Sequence, residues 1–174
     1  EFPVVSMHEA FSHPTSMFLR NLMAMDVEEM IRAQPMDAVV LIGGCDKTVP
    51  ALLMGAASAD VPAILTVTGP MTTSRHKGER LGACTDCRRL WGQHRAGAID
   101  SDEIESIGGK LAPGPGTCMV MGTASTMALV SEAMGMMLPG GASIPAVHAD
   151  RLRHAEATGA RAVDVDFRQE LTRD

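Results

Sequence analysis

Aromatic side chains are scarce in this sequence of 174 residues, in which they make up 3%, with a single Trp and no Tyr. Methionine is correspondingly abundant, with 14 residues. Because thioether side chains are flexible and polarisable, they can fill irregular core space where rings are missing. We therefore expect a Met-rich hydrophobic core rather than a methionine-ligated metal.

Long apolar runs and an excess of positive charge are also missing. The longest apolar runs, such as residues 38–42 and 63–67, are far too short to span a bilayer. The chain does not open with a basic stretch followed by an apolar run, so export is not indicated. The net charge of −6 argues against a nucleic-acid partner, which would require a basic surface. The sequence predicts a soluble cytoplasmic protein that binds neither membrane nor nucleic acid.

The composition that remains is typical of a globular domain, with 45% hydrophobic and 21% charged residues. A chain of this length can bury one sizeable core. Its first residues, from Glu1 to Val5, lack a starting Met and lie inside apolar sequence. We expect one domain over residues 1–174 that is a fragment of a longer protein.

Two short segments rich in Val and Ile, residues 37–42 and 62–68, predict buried strands because each is apolar and ends at a glycine pair or a Gly-Pro pair. Between them, a helix is predicted from Thr48, with Pro50 in its first turn. Apolar strands that alternate with helices predict an α/β fold, namely a parallel β-sheet flanked by helices on both faces.

Elements outside this unit are also indicated. Asp100 and Glu103 have the spacing of a capping box, so a helix is expected to begin there. Residues 71–100 are polar and are predicted to be irregular. The remaining predictions are a helix over 26–34 with Asp26 as N-cap, a helix over 123–137, a helix over 150–158 with Asp150 as N-cap, and a strand over 161–165.

The chain has four cysteines, of which Cys84 and Cys87 form a Cys-X-X-Cys pair. In a cytoplasmic protein, metal or redox roles are favoured over structural disulfides. A zinc site would need a second pair at suitable spacing, and the chain has none. A thioredoxin-like role would require the pair directly after a strand and at the start of a helix, which the Arg-rich surroundings do not suggest. A small zinc protein or a redox protein built on this pair remains an alternative.

The other two cysteines lie at the ends of predicted elements. Cys45 follows the first predicted strand, where open parallel sheets bind ligands, and Cys118 precedes a predicted helix whose N-terminus would favour a thiolate. Two such thiolates suit soft-metal or iron–sulfur ligation, although isolated buried cysteines are usually inert. Beside Cys45, Asp46 is a natural Mg²⁺ ligand, whereas the Lys47 ammonium would compete with the cation. The alternative is a salt-bridged Asp46–Lys47 pair at a helix start.

Several strings occur in a fixed order over essentially the whole chain, and together they resemble the dihydroxy-acid dehydratase and phosphogluconate dehydratase family. They are residues 44–51 (Gly-Cys-Asp-Lys-Thr-Val-Pro-Ala) with Met54, residues 69–71, 116–118 and 122–127, residues 132–135, and residues 148–151.

The resemblance implies an iron–sulfur cluster held by three cysteines, of the 2Fe-2S type in many members, with a 4Fe-4S cluster as the alternative. Cys45 and Cys118 match two of these cysteines, and the third would lie upstream of residue 1. The family lysine matched by Lys47 is carbamylated, which turns the cation into an oxygen ligand. With Asp46 and Glu9 it would give Mg²⁺ the oxygen shell that this ion prefers.

The resemblance also implies an activity, the removal of water from a polyhydroxy acid. Mg²⁺ would orient the substrate carboxylate and 2-hydroxyl, and the cluster would bind the 3-hydroxyl as a Lewis acid. The base is a serine in a C-terminal domain, to which nothing in this chain corresponds. We therefore expect no catalytic residue here, an inactive isolated fragment, and a homo-oligomeric full-length protein.

Residues 6–9 and 82–89 look more like the sugar-acid branch of the family, which includes arabinonate and xylonate dehydratases. The preferred function is thus conversion of a sugar acid to a 2-keto-3-deoxy acid. The alternatives are a dihydroxy-acid dehydratase of branched-chain amino-acid synthesis and a non-catalytic cluster-binding domain.

Overall fold

The structure, a computed structural model, describes residues 16–170 and contains two small sheets and the helices that cover them. In chain order the elements are α1 (Ser16–Arg32), β1 (Val39–Gly43), α2 (Thr48–Ala59), β2 (Ala63–Val67), β3 (Ser74–His76), β4 (Glu79–Leu81), α3 (Ala83–Arg95), α4 (Ser101–Leu111), α5 (Thr123–Ala133) and α6 (Ala149–Glu170).

The first sheet is the predicted β-α-β unit. Strands β1 and β2 pair in parallel, in register from Val39 with Ala63 to Gly43 with Val67. A further segment joins this sheet beside β2, where the Leu65 N–H donates to the carbonyl oxygen of Met136 at 2.7 Å. The two predicted strands, the helix between them and their parallel pairing are therefore confirmed.

Helices cover both faces of β2. Side chains alternate between the faces of a strand, and Leu65 and Val67 pack into the main hydrophobic core together with α1 and α2. The intervening Thr66 points the other way, where its Oγ1 lies 3.4 Å from Nδ1 of His154 on α6. The α/β fold with a flanked parallel sheet is confirmed.

The Met-rich core is confirmed only in part. Met23 and Met137 are buried in the main core and Met127 packs against it. Other methionines are exposed, among them Met17, Met25, Met30, Met36, Met54, Met121 and Met134. A low aromatic content does not determine where methionines lie, because their placement follows from which helix faces the neighbouring elements cover.

Residues 71–100 are not irregular, and this prediction is wrong. They form the antiparallel hairpin β3–β4 and most of α3, and the hairpin turns at Lys77 and Gly78, which have positive φ angles of 49° and 86°. A second, smaller core joins these elements to α4 through Leu81, Leu90, Ile104, Ile107 and Leu111. The strands have three residues each, too few for their alternating polarity to be recognised.

Several predicted helix limits also differ from the structure. Helix α1 begins at Ser16, so Asp26 lies inside it and is not an N-cap. Helix α5 ends at Ala133 instead of residue 137, because the chain turns at Gly135 (φ 75°) to reach the sheet. The capping box is confirmed, since Asp100 Oδ1 accepts a hydrogen bond from the Glu103 N–H at 2.8 Å.

The last predicted strand is wrong as well. Residues 161–165 belong to α6, which runs without interruption from Ala149 to Glu170. Asp150, the predicted N-cap, is therefore the second residue of α6 and lies within its first turn. Within residues 16–170, the helices lack the combination of length and apolar character that a membrane crossing requires.

Candidate functional site

Cys45 lies at the carboxyl end of β1, as predicted. Residues 44–47 form the turn between β1 and α2, and this turn supplies the first hydrogen-bond acceptors of the helix. The Val49 N–H donates to the Cys45 carbonyl oxygen at 3.2 Å, and the Ala51 N–H donates to that of Lys47 at 3.1 Å. The backbone that carries Cys45, Asp46 and Lys47 is thus held between a buried strand and a buried helix.

Cys118 lies on a segment that is tied to the carboxyl end of β2. The neighbouring Thr117 donates its N–H to the Gly69 carbonyl oxygen and accepts the Met71 N–H, each at 2.9 Å. Residues 119–122 separate Cys118 from α5, which begins at Thr123. The expectation that Cys118 directly precedes a helix is therefore wrong, and the adjacent strand end, not a helix N-terminus, positions this cysteine.

The segments that carry the two cysteines pack against each other through their neighbours. A Cβ atom at Gly44 would lie 2.8 Å from Thr117 Cγ2 and 1.8 Å from Thr68 Oγ1. Only glycine allows the two segments to approach this closely. Both cysteines are partly buried.

A small crevice opens at this edge of the sheet. Its lining includes Gly44, Gly69, Pro70, Thr117 and Ser125. Gly116 has a φ of 126°, and a Cβ atom there would lie 2.6 Å from the Met71 nitrogen. The crevice therefore depends on glycines that let three chain segments meet at the carboxyl ends of the strands, the place where parallel sheets bind ligands.

Asp46 bridges the thiol and the ammonium that flank it. The Cys45 Sγ donates to Asp46 Oδ1 at 3.4 Å, and Asp46 Oδ2 lies 3.3 Å from Lys47 Nζ. The side chains of Lys47 and Asp46 are 16% and 18% exposed. The unmodified lysine thus forms the salt-bridged pair that the sequence left open as an alternative.

The side chains at this edge are of the kinds that an iron–sulfur cluster and Mg²⁺ require, but they are too few to complete either ligand set. Sulfur ligands suit an iron–sulfur cluster and carboxylate oxygen suits Mg²⁺, and the strand-end edge carries both kinds. Among residues 16–170, however, His, Cys, Asp and Glu side chains form no group of three that could hold a metal ion. Glu9, the third predicted oxygen ligand, lies outside the described residues.

Glu132 has a role that the sequence did not indicate. Its carboxylate accepts hydrogen bonds from the N–H groups of Gly140 at 2.7 Å and Ala142 at 2.9 Å. These two backbone bonds hold the pKa of Glu132 below its usual value. Because Ala142 also lines the crevice, Glu132 fixes one wall of the site from α5.

Arg151 supports the same wall from α6. Its Nη2 donates to the carbonyl oxygens of Gly141 at 2.8 Å and Ile144 at 2.5 Å. The residue is only 7% exposed, and burial lowers the pKa of its guanidinium. A Cβ atom at Gly69 would lie 2.9 Å from this nitrogen, so Arg151 also backs the turn after β2.

The Cys-X-X-Cys pair lies on helix α3 and not on the segments that carry Cys45 and Cys118, and its setting differs from the predicted one. Strand β4 ends at Leu81 and helix α3 begins at Ala83. Cys84 and Cys87 are therefore the second and fifth residues of a helix that directly follows a strand.

The fold and this edge define a class of domain, an α/β domain with two thiols and a carboxylate at the carboxyl ends of its parallel strands. The sequence profile of the dihydroxy-acid/6-phosphogluconate dehydratase N-terminal family matches residues 3–174. The chain belongs to this family.

Individual relatives come from both branches of the family. The chain is 49% identical to an L-arabonate dehydratase of Azospirillum brasilense over 165 residues, which are 95% of this chain and 28% of that protein. It is 44% identical to a 6-deoxy-6-sulfo-D-gluconate dehydratase of Pseudomonas putida (97% and 29%) and 38% identical to a dihydroxy-acid dehydratase of Thermodesulfovibrio yellowstonii (89% and 29%). The chain thus spans under a third of the length of these curated relatives.

Proposed function

We propose that the protein to which this chain belongs is an iron–sulfur dehydratase that converts a sugar acid to a 2-keto-3-deoxy acid. The observation that carries the proposal is the packing of Gly44 against Thr117, which brings the backbone of Cys45 and that of Cys118 to one edge of the sheet beside Asp46. Membership in a dehydratase family supports the reaction class.

In this proposal Cys45 and Cys118 supply two of the sulfur ligands of a 2Fe-2S or 4Fe-4S cluster, and the third comes from outside the described residues. Asp46, carbamylated Lys47 and Glu9 supply oxygen ligands to Mg²⁺. Together the two groups would supply Lewis acidity at the substrate carboxylate and its 2- and 3-hydroxyl oxygens.

Carbamylation of Lys47 has a clear electrostatic consequence at this edge. It would remove the positive charge that now pairs with Asp46 at 3.3 Å. An oxygen of Asp46 would then be a ligand for the cation, and the modified Lys47 would add further oxygens. The chain would contribute binding and orientation, while the proton at C2 is removed by a base that lies elsewhere in the full-length protein.

The choice of a sugar acid over a branched dihydroxy acid rests on the relatives. Those named for sugar-acid substrates are 49% and 44% identical, whereas the dihydroxy-acid dehydratase is 38% identical. A sugar acid carries several hydroxyl groups beyond the reacting pair, so we place the residues that distinguish the substrates outside the proposed sulfur and oxygen ligands.

The test uses the full-length protein, purified without oxygen. Its content of iron, sulfide and magnesium is measured first. A panel of aldonates and one branched dihydroxy acid are assayed for release of a 2-keto acid. We expect turnover of at least one aldonate, with the branched acid at least tenfold slower. Turnover of the branched acid alone would contradict the sugar-acid assignment. Loss of all activity in a protein with a full metal content would contradict the dehydratase function.

A further inference from the structure

Cys84 and Cys87 are not used by the proposed dehydration, yet their positions match those of a redox pair. Strand β4 leads into α3 through Gly82 alone, so both cysteines fall in the opening turns of a helix that follows a strand. This is the setting in which Cys-X-X-Cys pairs carry redox chemistry in thioredoxin-like proteins.

A disulfide between the two cysteines requires a tighter first turn of the helix. Residues three apart on a helix have Cβ atoms roughly 5–6 Å apart, and a disulfide needs about 3.5–4.5 Å. The two Cβ atoms must therefore approach each other by about 1–2 Å. The first backbone hydrogen bond of the helix runs from the Asp86 N–H to the Gly82 carbonyl oxygen at 2.9 Å, so a tighter turn breaks no helical hydrogen bond donated by positions 84 and 85.

Asp86, between the two cysteines, anchors this turn. Its Oδ2 accepts the Gly82 N–H at 2.7 Å and its Oδ1 accepts from Arg89 at 2.8 Å. The Gly82 bond and, after it, the Arg89 bond lower the pKa of Asp86. The carboxylate is thus hydrogen-bonded both to the helix start and to a guanidinium.

Cys87 and the residues just before the pair have different surroundings. Cys87 is partly buried and packs against the small core formed with α4. At the start of the helix, the Ala83 N–H donates to Met119 Sδ at 3.3 Å, and a Cβ atom at Gly82 would lie 2.2 Å from Val120 Cγ1. The residues just before Cys84 are therefore packed on the segment that directly follows Cys118.

We propose that Cys84 and Cys87 form a reversible dithiol–disulfide couple that exchanges with low-molecular-weight disulfides such as glutathione disulfide. One thiolate attacks the oxidant, whose S–S bond breaks to give a mixed disulfide and one glutathione thiol. The second cysteine then attacks the mixed disulfide and releases the second glutathione thiol. The protein pair loses two electrons and two protons, and both appear on the two glutathione molecules.

The sequence itself provides a direct readout. Trypsin cleaves after Arg80 and Arg88, so the peptide 81–88 contains Cys84 and Cys87 and no other cysteine. The full-length protein, with its metal content intact, is equilibrated without oxygen in buffers that differ in the ratio of glutathione disulfide to glutathione. The samples are then quenched in acid, alkylated and digested with trypsin. From oxidising buffer we expect the peptide to carry no alkyl group and to be two hydrogen atoms lighter than its dithiol form. Reduction with dithiothreitol before alkylation should give the peptide with two alkyl groups.

Single variants and the unfolded protein serve as controls. Cys84→Ser and Cys87→Ser should each leave one thiol that takes up glutathione without the loss of two hydrogens. Because the native turn must tighten, the native disulfide should be at least tenfold easier to reduce than the same disulfide in urea-unfolded protein. A peptide that stays doubly alkylated in the most oxidising buffer would overturn the proposal. The proposal would also be overturned if the disulfide were equally easy to reduce in the native and unfolded protein. Stoichiometric zinc that is released when Cys84 and Cys87 are alkylated would overturn it as well.

Discussion

Gly44 and Thr117 approach each other so closely that a Cβ atom at position 44 would lie 2.8 Å from the Thr117 methyl carbon. The two residues are separated by 73 positions in the sequence, and each is the immediate neighbour of a predicted cluster ligand. This contact joins the end of β1 to the segment held on β2 by Gly69 and Met71. The spatial relationship of Cys45 and Cys118 depends on it.

Gly44→Ala should therefore separate the two segments. The new methyl group would overlap Thr68 Oγ1, at 1.8 Å, as well as Thr117, and overpacking of this kind costs about 1–3 kcal/mol. We expect a comparable loss in the free energy of unfolding and a loss of visible cluster absorbance in the full-length protein. Denaturant unfolding and absorption spectra measure the two effects.

Gly109→Ala is the matched control for that variant. Gly109 lies inside α4, and a Cβ atom there would have no heavy atom within 4 Å. Alanine is favoured over glycine in a helix by about 0.5–1 kcal/mol, so this variant should be slightly stabilised with unchanged absorbance. If Gly44→Ala and Gly109→Ala had the same free energy of unfolding and the same cluster absorbance, the proposed role of the Gly44 contact would be contradicted.

Cys118→Ser should abolish the visible absorbance of the cluster in the full-length protein. A serine oxygen is a poor substitute for the thiolate that an iron–sulfur cluster requires. Cys87→Ser is the control, since Cys87 packs against the second core and is not among the proposed ligands. Unchanged absorbance in Cys118→Ser would remove this residue from the ligand set, and lost absorbance in Cys87→Ser would add that residue to it.

Glu132 should make the stability depend on pH. Its pKa is lowered in the folded state, so its contribution is complete above the unfolded-state pKa, about 4.3, and is lost as pH falls through the folded-state value. Glu132→Gln should be less stable than the parent by about 1 kcal/mol at neutral pH, and the difference should shrink on acidification. Denaturant unfolding at several pH values measures this difference.

Glu105→Gln, at an exposed position of α4, controls for removal of one negative charge. If the stability difference between the parent and Glu132→Gln stayed constant from neutral to acidic pH, the carboxylate clamp on Gly140 and Ala142 would not contribute as described.

Arg151→Lys should be destabilising even though the charge is kept. The buried guanidinium binds two carbonyl oxygens with one nitrogen, and a lysine ammonium has neither the reach nor the planar shape to reproduce this. We expect a loss of about 2 kcal/mol in the free energy of unfolding. Arg153→Lys, whose side chain is 72% exposed, should change stability by less than about 0.5 kcal/mol. Equal losses in both variants would show that the buried carbonyl contacts are not stabilising.

Local patterns were sufficient to predict the elements that carry strong signals. The strands β1 and β2 consist of apolar residues bounded by glycine, and their parallel pairing follows from the helix between them. The capping box at Asp100 is a contact between residues three apart, so its spacing alone indicated it. In the same way, the position of Cys45 at a strand end could be predicted because β1 and α2 both have clear limits.

Elements whose limits depend on distant partners could not be predicted. The hairpin β3–β4 has short polar strands, and it is held by packing of Leu81 against α3 and α4. Residues 134–137 continue the helical spacing of α5, yet they leave the helix because the Met136 carbonyl oxygen pairs with Leu65. Residues 161–165 have apolar positions that suit a strand, but they continue α6 in the folded chain.

The order of motifs along this sequence by itself determined the family, and it determined which residues are candidate ligands, because side-chain chemistry is a local property. Whether those residues meet was decided only by the tertiary structure. The approach of Gly44 to Thr117 joins two segments far apart in the chain, and Glu132 and Arg151 support the crevice through the loop that lies between α5 and α6. Such contacts leave no periodic signal in the sequence, since packing fixes them only when the segments fold together.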